Sequence, residues 1–244
     1  MVLGPQNLAE SLRAVRARIA LAAARCGRNA DSITIVAASK SQPLTAIEAA
    51  AAAGIEHFGE SYVQEALGKL TAPQAAGLIW HFIGRVQANK TRTVAEHFAW
   101  VDSLDSVEHA RRLASQRPYH APVLNVCIQV NLAAEPAKSG AAPAEVRALA
   151  GAVAELPRLR LRGLMCLPPQ AHTLEEQRRW FAELRHMFED LNAQGAGLDT
   201  LSMGMSADLE AAVLEGATHV RIGTALFGPR PRRHPREGPD TIPP

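Results

Sequence analysis

The chain has 244 residues, a length that suits two small domains or one large one, such as an α/β barrel of about 250 residues. Hydrophobic residues make up 47% of it and charged residues 20%, which excludes a largely disordered chain. The net charge of +2 arises from Pro229 onward, and the rest balances 22 basic against 22 acidic residues, so nucleic acid is not an expected partner.

Three further features narrow the class of protein. No apolar run approaches the roughly 18 residues of a membrane span, and the N-terminus lacks the apolar block of a signal peptide. The cysteines Cys26, Cys127 and Cys166 are far apart and odd in number, unlike a disulfide framework or a zinc ligand set. We therefore expect a cytoplasmic protein that does not associate with membranes and binds no metal.

The first predicted element is a helix. Apolar residues recur from Leu8 to Cys26 at spacings of three and four, which places them on one helix face. Asn7 is the expected N-cap, with Glu10 three residues later, and Gly27 is the expected end.

Eight short apolar runs follow, and they alternate with amphipathic segments of helical length. This rhythm predicts a single-domain (β/α)8 TIM barrel with an extra N-terminal helix, over residues 1–228. An open doubly wound sheet is the alternative, because the second and fourth runs are weak. The Pro- and Arg-rich tail, 229–244, is expected to be disordered. The runs are 33–39, 56–58, 78–82, 99–102, 123–130, 160–165, 200–203 and 218–222.

Lys40 follows the first run, at the end of a barrel strand where active sites of this fold lie. Lysine is scarce, with four residues against 22 arginines, so a lysine in this place is notable. Desolvation there would lower the pKa of its amine, and a neutral amine attacks an aldehyde to form a Schiff base. The alternative is a lysine that extends to solvent.

Two glycine-containing turns follow the seventh and eighth runs. Gly204 precedes Ser206, the expected N-cap of the next helix, and Gly223 precedes Thr224. Each turn alone is ordinary, but together their N–H groups and hydroxyls predict a phosphate cup.

Strand alternation places Arg221 and His219 on one face, with Val220 and Ile222 on the other. A guanidinium that points into a barrel mouth needs a partner, which a cofactor ring nitrogen or a carboxylate would provide. His219 is expected to be a hydrogen-bonded core histidine.

These residues lie within motifs that closely resemble those of the pyridoxal phosphate homeostasis proteins, relatives of the N-terminal barrel of alanine racemase. The match runs in order from about Leu8 to Gly228. It includes Ala-Ser-Lys at 38–40, Phe-Gly-Glu-Ser-Tyr-Val-Gln-Glu at 58–65, Trp-His-Phe-Ile-Gly at 80–84, Gln-Val-Asn at 129–131, Lys-Ser-Gly at 138–140, Arg-Gly-Leu-Met at 162–165, Leu-Ser-Met-Gly-Met-Ser at 201–206 and Val-Arg-Ile-Gly-Thr at 220–224.

The resemblance implies a site for pyridoxal 5'-phosphate. Lys40 would be the Schiff-base lysine, and Arg221 would face the pyridine nitrogen. Ser61 lies near the ring in the family, where asparagine is usual, and Gln42 stands where a basic residue is common. The other implied cofactor-binding residues are Met203, Met205, Ser206, Gly223 and Thr224. Of these, Ser206, Gly223 and Thr224 would hold the phosphate, together with the Met205 backbone.

The resemblance also implies a function. The chain would be a monomeric carrier and buffer of pyridoxal phosphate that serves apo-enzymes, without catalytic residues or fast amino-acid turnover. Alanine racemase uses a tyrosine base, whereas the tyrosines of this chain are Tyr62, expected to pack locally, and Tyr119. A racemase-like enzyme of unknown substrate and a scaffold with an empty barrel are the alternatives. Lys90 and Lys138 are candidates to relay the aldehyde, and Cys166 is expected to be a small buried hydrophobe rather than an aldehyde trap.

Overall fold

The structure, a computed structural model, describes residues 5–135 and 138–229. Within these residues, eight parallel strands form a closed barrel in chain order, and the last strand pairs with the first. The strands are β1 (Thr34–Ala38), β2 (His57–Glu60), β3 (Ile79–Phe82), β4 (Trp100–Leu104), β5 (Leu124–Val130), β6 (Leu159–Cys166), β7 (Thr200–Ser202) and β8 (His219–Ile222).

A helix precedes the first strand, and one follows each strand. These are α1 (Pro5–Arg25), α2 (Leu44–Ala52), α3 (Val63–Leu70), α4 (Thr91–His97), α5 (Val107–Gln116), α6 (Val146–Ala154), α7 (Leu174–Ala193), α8 (Leu209–Leu214) and α9 (Thr224–Phe227). The predicted (β/α)8 barrel with its additional N-terminal helix is confirmed, and the open sheet is wrong. Both weak runs are strands because each pairs with its two neighbours in the barrel.

The ends of the chain differ from the expectations in one respect. Helix α1 begins at Pro5, so Asn7 lies inside the helix and its prediction as the N-cap is wrong. Proline is tolerated in a first helical turn, and the helix therefore starts before the capping signal. Gly27 follows the helix with a φ of 68°, as predicted. Of the predicted tail, residues 230–244 lie outside the described residues.

Helix α1 packs against the last two helices of the barrel. These helices, α8 and α9, have only six and four residues, so they cover little of the adjacent strands. The apolar face of α1 covers that region through side chains that are at most 3% exposed, namely Leu8, Leu12, Val15, Ile19, Ala22 and Ala23.

Apolar packing divides into two layers. The larger layer lies between strands and helices and includes the predicted outward-facing residues Val220 and Ile222. The smaller, inside the barrel, consists of Trp100, Cys127 and Met165. Polar side chains occupy much of the remaining interior, which matters for the site at the barrel mouth.

In the part of the chain that the structure describes, no helix combines the length and apolar character needed to cross a membrane. The same residues contain no cluster of His, Cys, Asp or Glu that is suited to a metal ion. The three cysteines are free thiols.

Candidate functional site

The candidate site begins at the carboxyl end of β1. Lys40 is half-buried in the turn two residues after Ala38, the last residue of the strand. Strand β8 lies directly beside β1, and a methyl group added to Gly223 would lie 3.5 Å from the Ala38 carbonyl oxygen. The turn that carries Lys40 and the turn of Gly223 and Thr224 are therefore neighbours at the barrel mouth.

A buried ionic network lies beneath the Lys40 turn. The Lys69 ammonium donates hydrogen bonds to the Ser39 carbonyl (2.9 Å), to Glu60 Oε1 (2.7 Å) and to Glu65 Oε1 (2.7 Å). The Ser39 hydroxyl also donates to Glu60 Oε1, at 2.6 Å. Ser41 has an unfavourable φ of 63°, and its N–H donates to Glu65. The network therefore fixes the backbone on both sides of Lys40.

Sequence analysis did not find this network. Lys69 is 7% exposed and Glu60 is fully buried. Burial raises the pKa of Glu60, although Lys69 and Ser39 act in the opposite direction. The scarcity of lysine was the available signal, because Lys69 is one of only four lysines.

The two predicted phosphate turns are joined to each other. The N–H of Ala225 donates to the Ser206 hydroxyl at 3.1 Å, which links the turn after β7 to the turn after β8. Among the described residues, the N–H groups of Ser206, Gly223 and Thr224 have no hydrogen-bond acceptor. Backbone N–H groups without a partner suit an anion such as a phosphate.

The local structure around Ser206 differs from the prediction. Helix α8 starts only at Leu209, so Ser206 is too far from it to be the predicted N-cap. Asp208 takes the cap position, and its Oδ1 instead accepts the N–H of Met205 at 2.6 Å. The glycine at 204 is required by its φ of 93° and by packing, because a methyl group there would lie 2.5 Å from the Ala212 Cβ.

The two methionines of this segment lie in different surroundings. The Met203 side chain is fully buried in the layer between strands and helices, because it follows the inward-pointing Ser202 and so takes the opposite face. Its N–H donates to the His219 carbonyl at 3.0 Å, so only its carbonyl is left for a cofactor. Met205 is 39% exposed and lines a cavity of about 340 Å³ at the mouth, but its N–H is already engaged by Asp208.

Arg221 lies inside the barrel and is 4% exposed. Its guanidinium donates to the Ser202 hydroxyl (2.8 Å) and to the Cys166 carbonyl (2.7 Å). An arginine has five N–H donors, so three remain after these two contacts with described residues. The Cys166 thiol is fully buried, which raises its pKa to about 12, and the reading of Cys166 as a buried hydrophobe is confirmed.

His219 shares the inner face with Arg221, as predicted. Its ring contacts the rings of His57, His81 and Trp100. The predicted hydrogen bond exists, because Nδ1 of His219 lies 3.0 Å from the Thr218 hydroxyl. Burial lowers the pKa of His219 to about 4, so its ring is neutral at neutral pH.

Ser61 is half-buried and lies against the loop after β3. A methyl group on Gly84 would come within 2.1 Å of the Ser61 carbonyl oxygen, so glycine is necessary for this contact. Ser61 lines a small cavity of about 140 Å³ together with Tyr62 and Lys90. Tyr62 is the N-cap residue of α3, the helix start expected for it, and it is 53% exposed.

The remaining family residues occupy different depths. Lys138 is half-exposed and lines the same 340 Å³ cavity as Met205. Gln42 is only 6% exposed, and its N–H donates to the Ser39 carbonyl at 3.0 Å. Gln42 therefore places a buried, neutral side chain next to the Lys40 turn, where the motif resemblance leads us to expect a basic residue.

Arg18 of helix α1 supports the phosphate turns and was missed by the sequence analysis. Its guanidinium donates to the Ser206 carbonyl at 2.9 Å and to both carboxylate oxygens of Glu210, at 2.6 and 2.8 Å. These contacts connect the extra helix both to the turn between β7 and α8 and to the first turn of α8 itself.

Replacing Arg18 with alanine is expected to weaken cofactor binding about three- to tenfold, since a charged hydrogen bond to the turn is lost at a partly exposed position. Titration of the apo-protein with pyridoxal phosphate, followed by absorbance, measures the effect. Arg13→Ala is the matched control, because among the described residues the Arg13 side chain hydrogen-bonds only to the Ala9 carbonyl of its own helix. Equal affinities of the two variants would show that Arg18 does not support the turn.

Comparison with known proteins gives consistent matches. The family described as alanine racemase, N-terminal domain, matches residues 11–231. The chain is 54% identical to a pyridoxal phosphate homeostasis protein of Pseudomonas aeruginosa, over 92% of this chain and 96% of that protein. The corresponding values for the Escherichia coli K12 protein of the same name are 48%, 92% and 97%.

Solved structures agree with these matches. PipY of Synechococcus elongatus PCC7942 is 38% identical, and the match covers 91% of this chain and all of PipY. Its TM-scores are 0.80 for the structure without PLP and 0.79 for the structure with PLP bound. Alanine racemase of Clostridium difficile 630 shares the fold at a TM-score of 0.70, with 14% identity.

Proposed function

We propose a mode of cofactor binding for this chain. The chain belongs to the alanine racemase N-terminal domain family and, within it, to the pyridoxal phosphate homeostasis proteins. The resemblance predicted from the motifs is thereby confirmed. The cofactor is pyridoxal 5'-phosphate, and the role of the chain lies in its homeostasis.

One observation carries the proposed binding mode. The Lys40 turn lies beside the Gly223 turn, and the Gly223 turn is joined to Ser206 by a hydrogen bond. The Lys40 turn and a set of N–H groups without a partner among the described residues thus lie at one mouth, which supports a site for a phosphorylated aldehyde. Lys40 holds the aldehyde carbon as a Schiff base, with the loss of one water molecule.

The other contacts follow from the available donors. Backbone N–H groups of Ser206, Gly223 and Thr224 hold the phosphate, together with the two hydroxyls. A remaining N–H of Arg221 meets the pyridine nitrogen. Ser61 lines the edge of the mouth, where its hydroxyl, shorter than the usual asparagine, contacts the ring side of the cofactor.

The site supports a carrier better than a fast enzyme. The cofactor supplies an electron sink when its ring nitrogen is protonated, and Arg221 does not give up a proton to that nitrogen. Racemisation also needs a second acid–base group opposite the lysine. Tyr62 and Tyr119 are 53% and 95% exposed, so neither is fixed by burial as a base opposite Lys40. The chain therefore binds the reactive aldehyde, limits its side reactions and passes it to apo-enzymes.

An absorption spectrum of the purified protein before and after borohydride reduction tests the binding mode. We expect an absorbance band of lysine-bound cofactor and, after reduction, a stable adduct on the peptide that contains Lys40. An adduct on another lysine would contradict the assignment. A panel of L- and D-amino acids, added to the loaded protein, separates the carrier from a racemase-like enzyme, since fast formation of the opposite enantiomer would overturn the carrier.

A further inference from the structure

Inside the barrel, hydrogen bonds connect side chains of five strands. His57 Nδ1 lies 2.9 Å from His81 Nε2, and His81 Nδ1 lies 2.9 Å from Asp102 Oδ1. The other carboxylate oxygen of Asp102 accepts the Ser202 hydroxyl at 2.9 Å. Ser202 in turn accepts an N–H of Arg221 at 2.8 Å. This interior chain ends at the residue assigned to the pyridine nitrogen.

Chemistry fixes the direction of the bonds around Asp102. An arginine only donates, so the Ser202 oxygen accepts from Arg221 and the Ser202 proton goes to Asp102. An ionised carboxylate only accepts, so His81 carries its proton on Nδ1. Asp102 is therefore the point where the two halves of the interior chain converge.

Asp102 is also the ionised acid of the interior chain. It is 1% exposed, and burial opposes its ionisation, but the charge and hydrogen bond of His81, with the charge of Arg221, lower its pKa. The Arg221 cation is equally buried and needs a counter-charge, because an unpaired ion in an interior is strongly unfavourable. Asp102 provides that charge, and the Ser202 hydroxyl connects the two groups by one hydrogen bond to each.

We propose that Asp102 is a positioning residue of the cofactor site, which holds the Arg221 guanidinium through Ser202 and balances its charge so that a free N–H edge meets the ring nitrogen. The inference rests on the proposed function, in which Arg221 contacts that nitrogen. Asp102 touches no cofactor atom in this arrangement and acts through Arg221.

Asp102→Asn tests the proposal with little change in size. The amide removes the negative charge and leaves one acceptor oxygen for two donors, His81 and the Ser202 hydroxyl, so the affinity for pyridoxal phosphate falls about tenfold. The uncompensated Arg221 charge disfavours a proton on the lysine-bound cofactor, so the pH midpoint of its absorbance change moves down by about one unit. A purely structural role would not move this midpoint.

A second readout needs no cofactor. In the apo-protein, NMR of the Arg221 guanidinium is expected to show slow rotation in the wild type and faster rotation in Asp102→Asn, where the hydrogen bond to the Cys166 carbonyl remains. Ser202→Ala breaks the same link while the carboxylate remains, so it gives faster rotation as well, and it replaces Asp102→Asn if that variant does not fold. Asp199→Asn is the matched control, since Asp199 pairs with Arg162 at the surface.

The outcomes separate this inference from the proposed function. The positioning role is supported if Asp102→Asn shows weaker binding, a lower pH midpoint and a more mobile Arg221. In the same case, Asp199→Asn should keep the wild-type values of all three. Wild-type affinity and midpoint in a folded Asp102→Asn would overturn it. A wild-type protein that binds no pyridoxal phosphate, but whose Arg221 is still held in an Asp102-dependent manner, would refute the proposed function instead.

Discussion

Lys40→Ala is expected to lose pyridoxal phosphate on a desalting column, whereas the wild-type protein keeps it. The Schiff base is the only covalent link proposed, so its loss leaves the phosphate and ring contacts alone and lowers the apparent affinity by about 100-fold or more. Lys40 is half-buried in a turn outside the strand, so the barrel should remain folded. Equilibrium dialysis with pyridoxal phosphate and a thermal unfolding curve measure the two effects.

Lys40→Arg is the matched control for charge. It keeps a cation beside the phosphate turns but does not condense with an aldehyde, because a guanidinium stays protonated. Both variants should therefore give no borohydride-stable adduct at position 40, and Lys40→Arg should bind the cofactor somewhat better than Lys40→Ala. Retention of a stable adduct by both variants would place the condensation on Lys69, Lys90 or Lys138 and refute the assignment of Lys40.

The fold and the placement of the candidate turns at one barrel mouth could be predicted because both depend on local sequence. The period of apolar residues separates helix from strand, and the chain order of parallel strands then determines which turns share the barrel mouth. Lys40 and the turns at 204–206 and 223–224 were singled out as candidates in this way, since each comes soon after a strand, and their proposed roles come from the motif resemblance. The two weak apolar runs were harder to assign as strands, because β2 and β4 are identified by pairing with their neighbours rather than by their own composition.

The supporting contacts could not be predicted because they join distant parts of the sequence. Arg18 reaches the Ser206 carbonyl across 188 positions, and Asp102 meets Ser202 across 100. No periodicity within a segment specifies such a pair, and an arginine on a helix face reads as solvent-exposed until the fold is known. Met203 shows the converse, since a motif residue was assigned to the cofactor although strand alternation turns its side chain into the helix layer.

Lys69→Met is expected to lower the free energy of unfolding by about 3–5 kcal/mol, the usual cost of breaking a buried ion pair from one side. The ammonium makes three hydrogen bonds to the Ser39 carbonyl, Glu60 and Glu65, and methionine replaces none of them. Oε2 of Glu60 already has no partner among the described residues, so the variant leaves this carboxyl group almost without stabilisation. Urea unfolding at neutral pH measures the change.

The dependence of this effect on pH identifies its cause. The pKa of Glu60 is raised in the folded protein, so its contribution to stability is fully present below the unfolded value of 4.5 and is lost as the pH rises through the folded value. Loss of Lys69 raises that pKa further. The destabilisation by Lys69→Met should therefore be smaller at pH 4 than at pH 7.5.

The double variant Glu60→Gln, Lys69→Met provides the control, since it removes both charges from the same place. It should recover most of the stability at pH 7.5, because replacing a whole buried pair costs far less than leaving one member unpaired. Cofactor affinity then reports on the turn itself, since Lys69 also holds the Ser39 carbonyl next to Lys40. If the double variant regains stability but still binds pyridoxal phosphate poorly, the network holds Lys40 in position as well as stabilising the barrel. If Lys69→Met matches the wild type both in stability at the two pH values and in affinity for pyridoxal phosphate, the ion pair supports neither the barrel nor the position of Lys40.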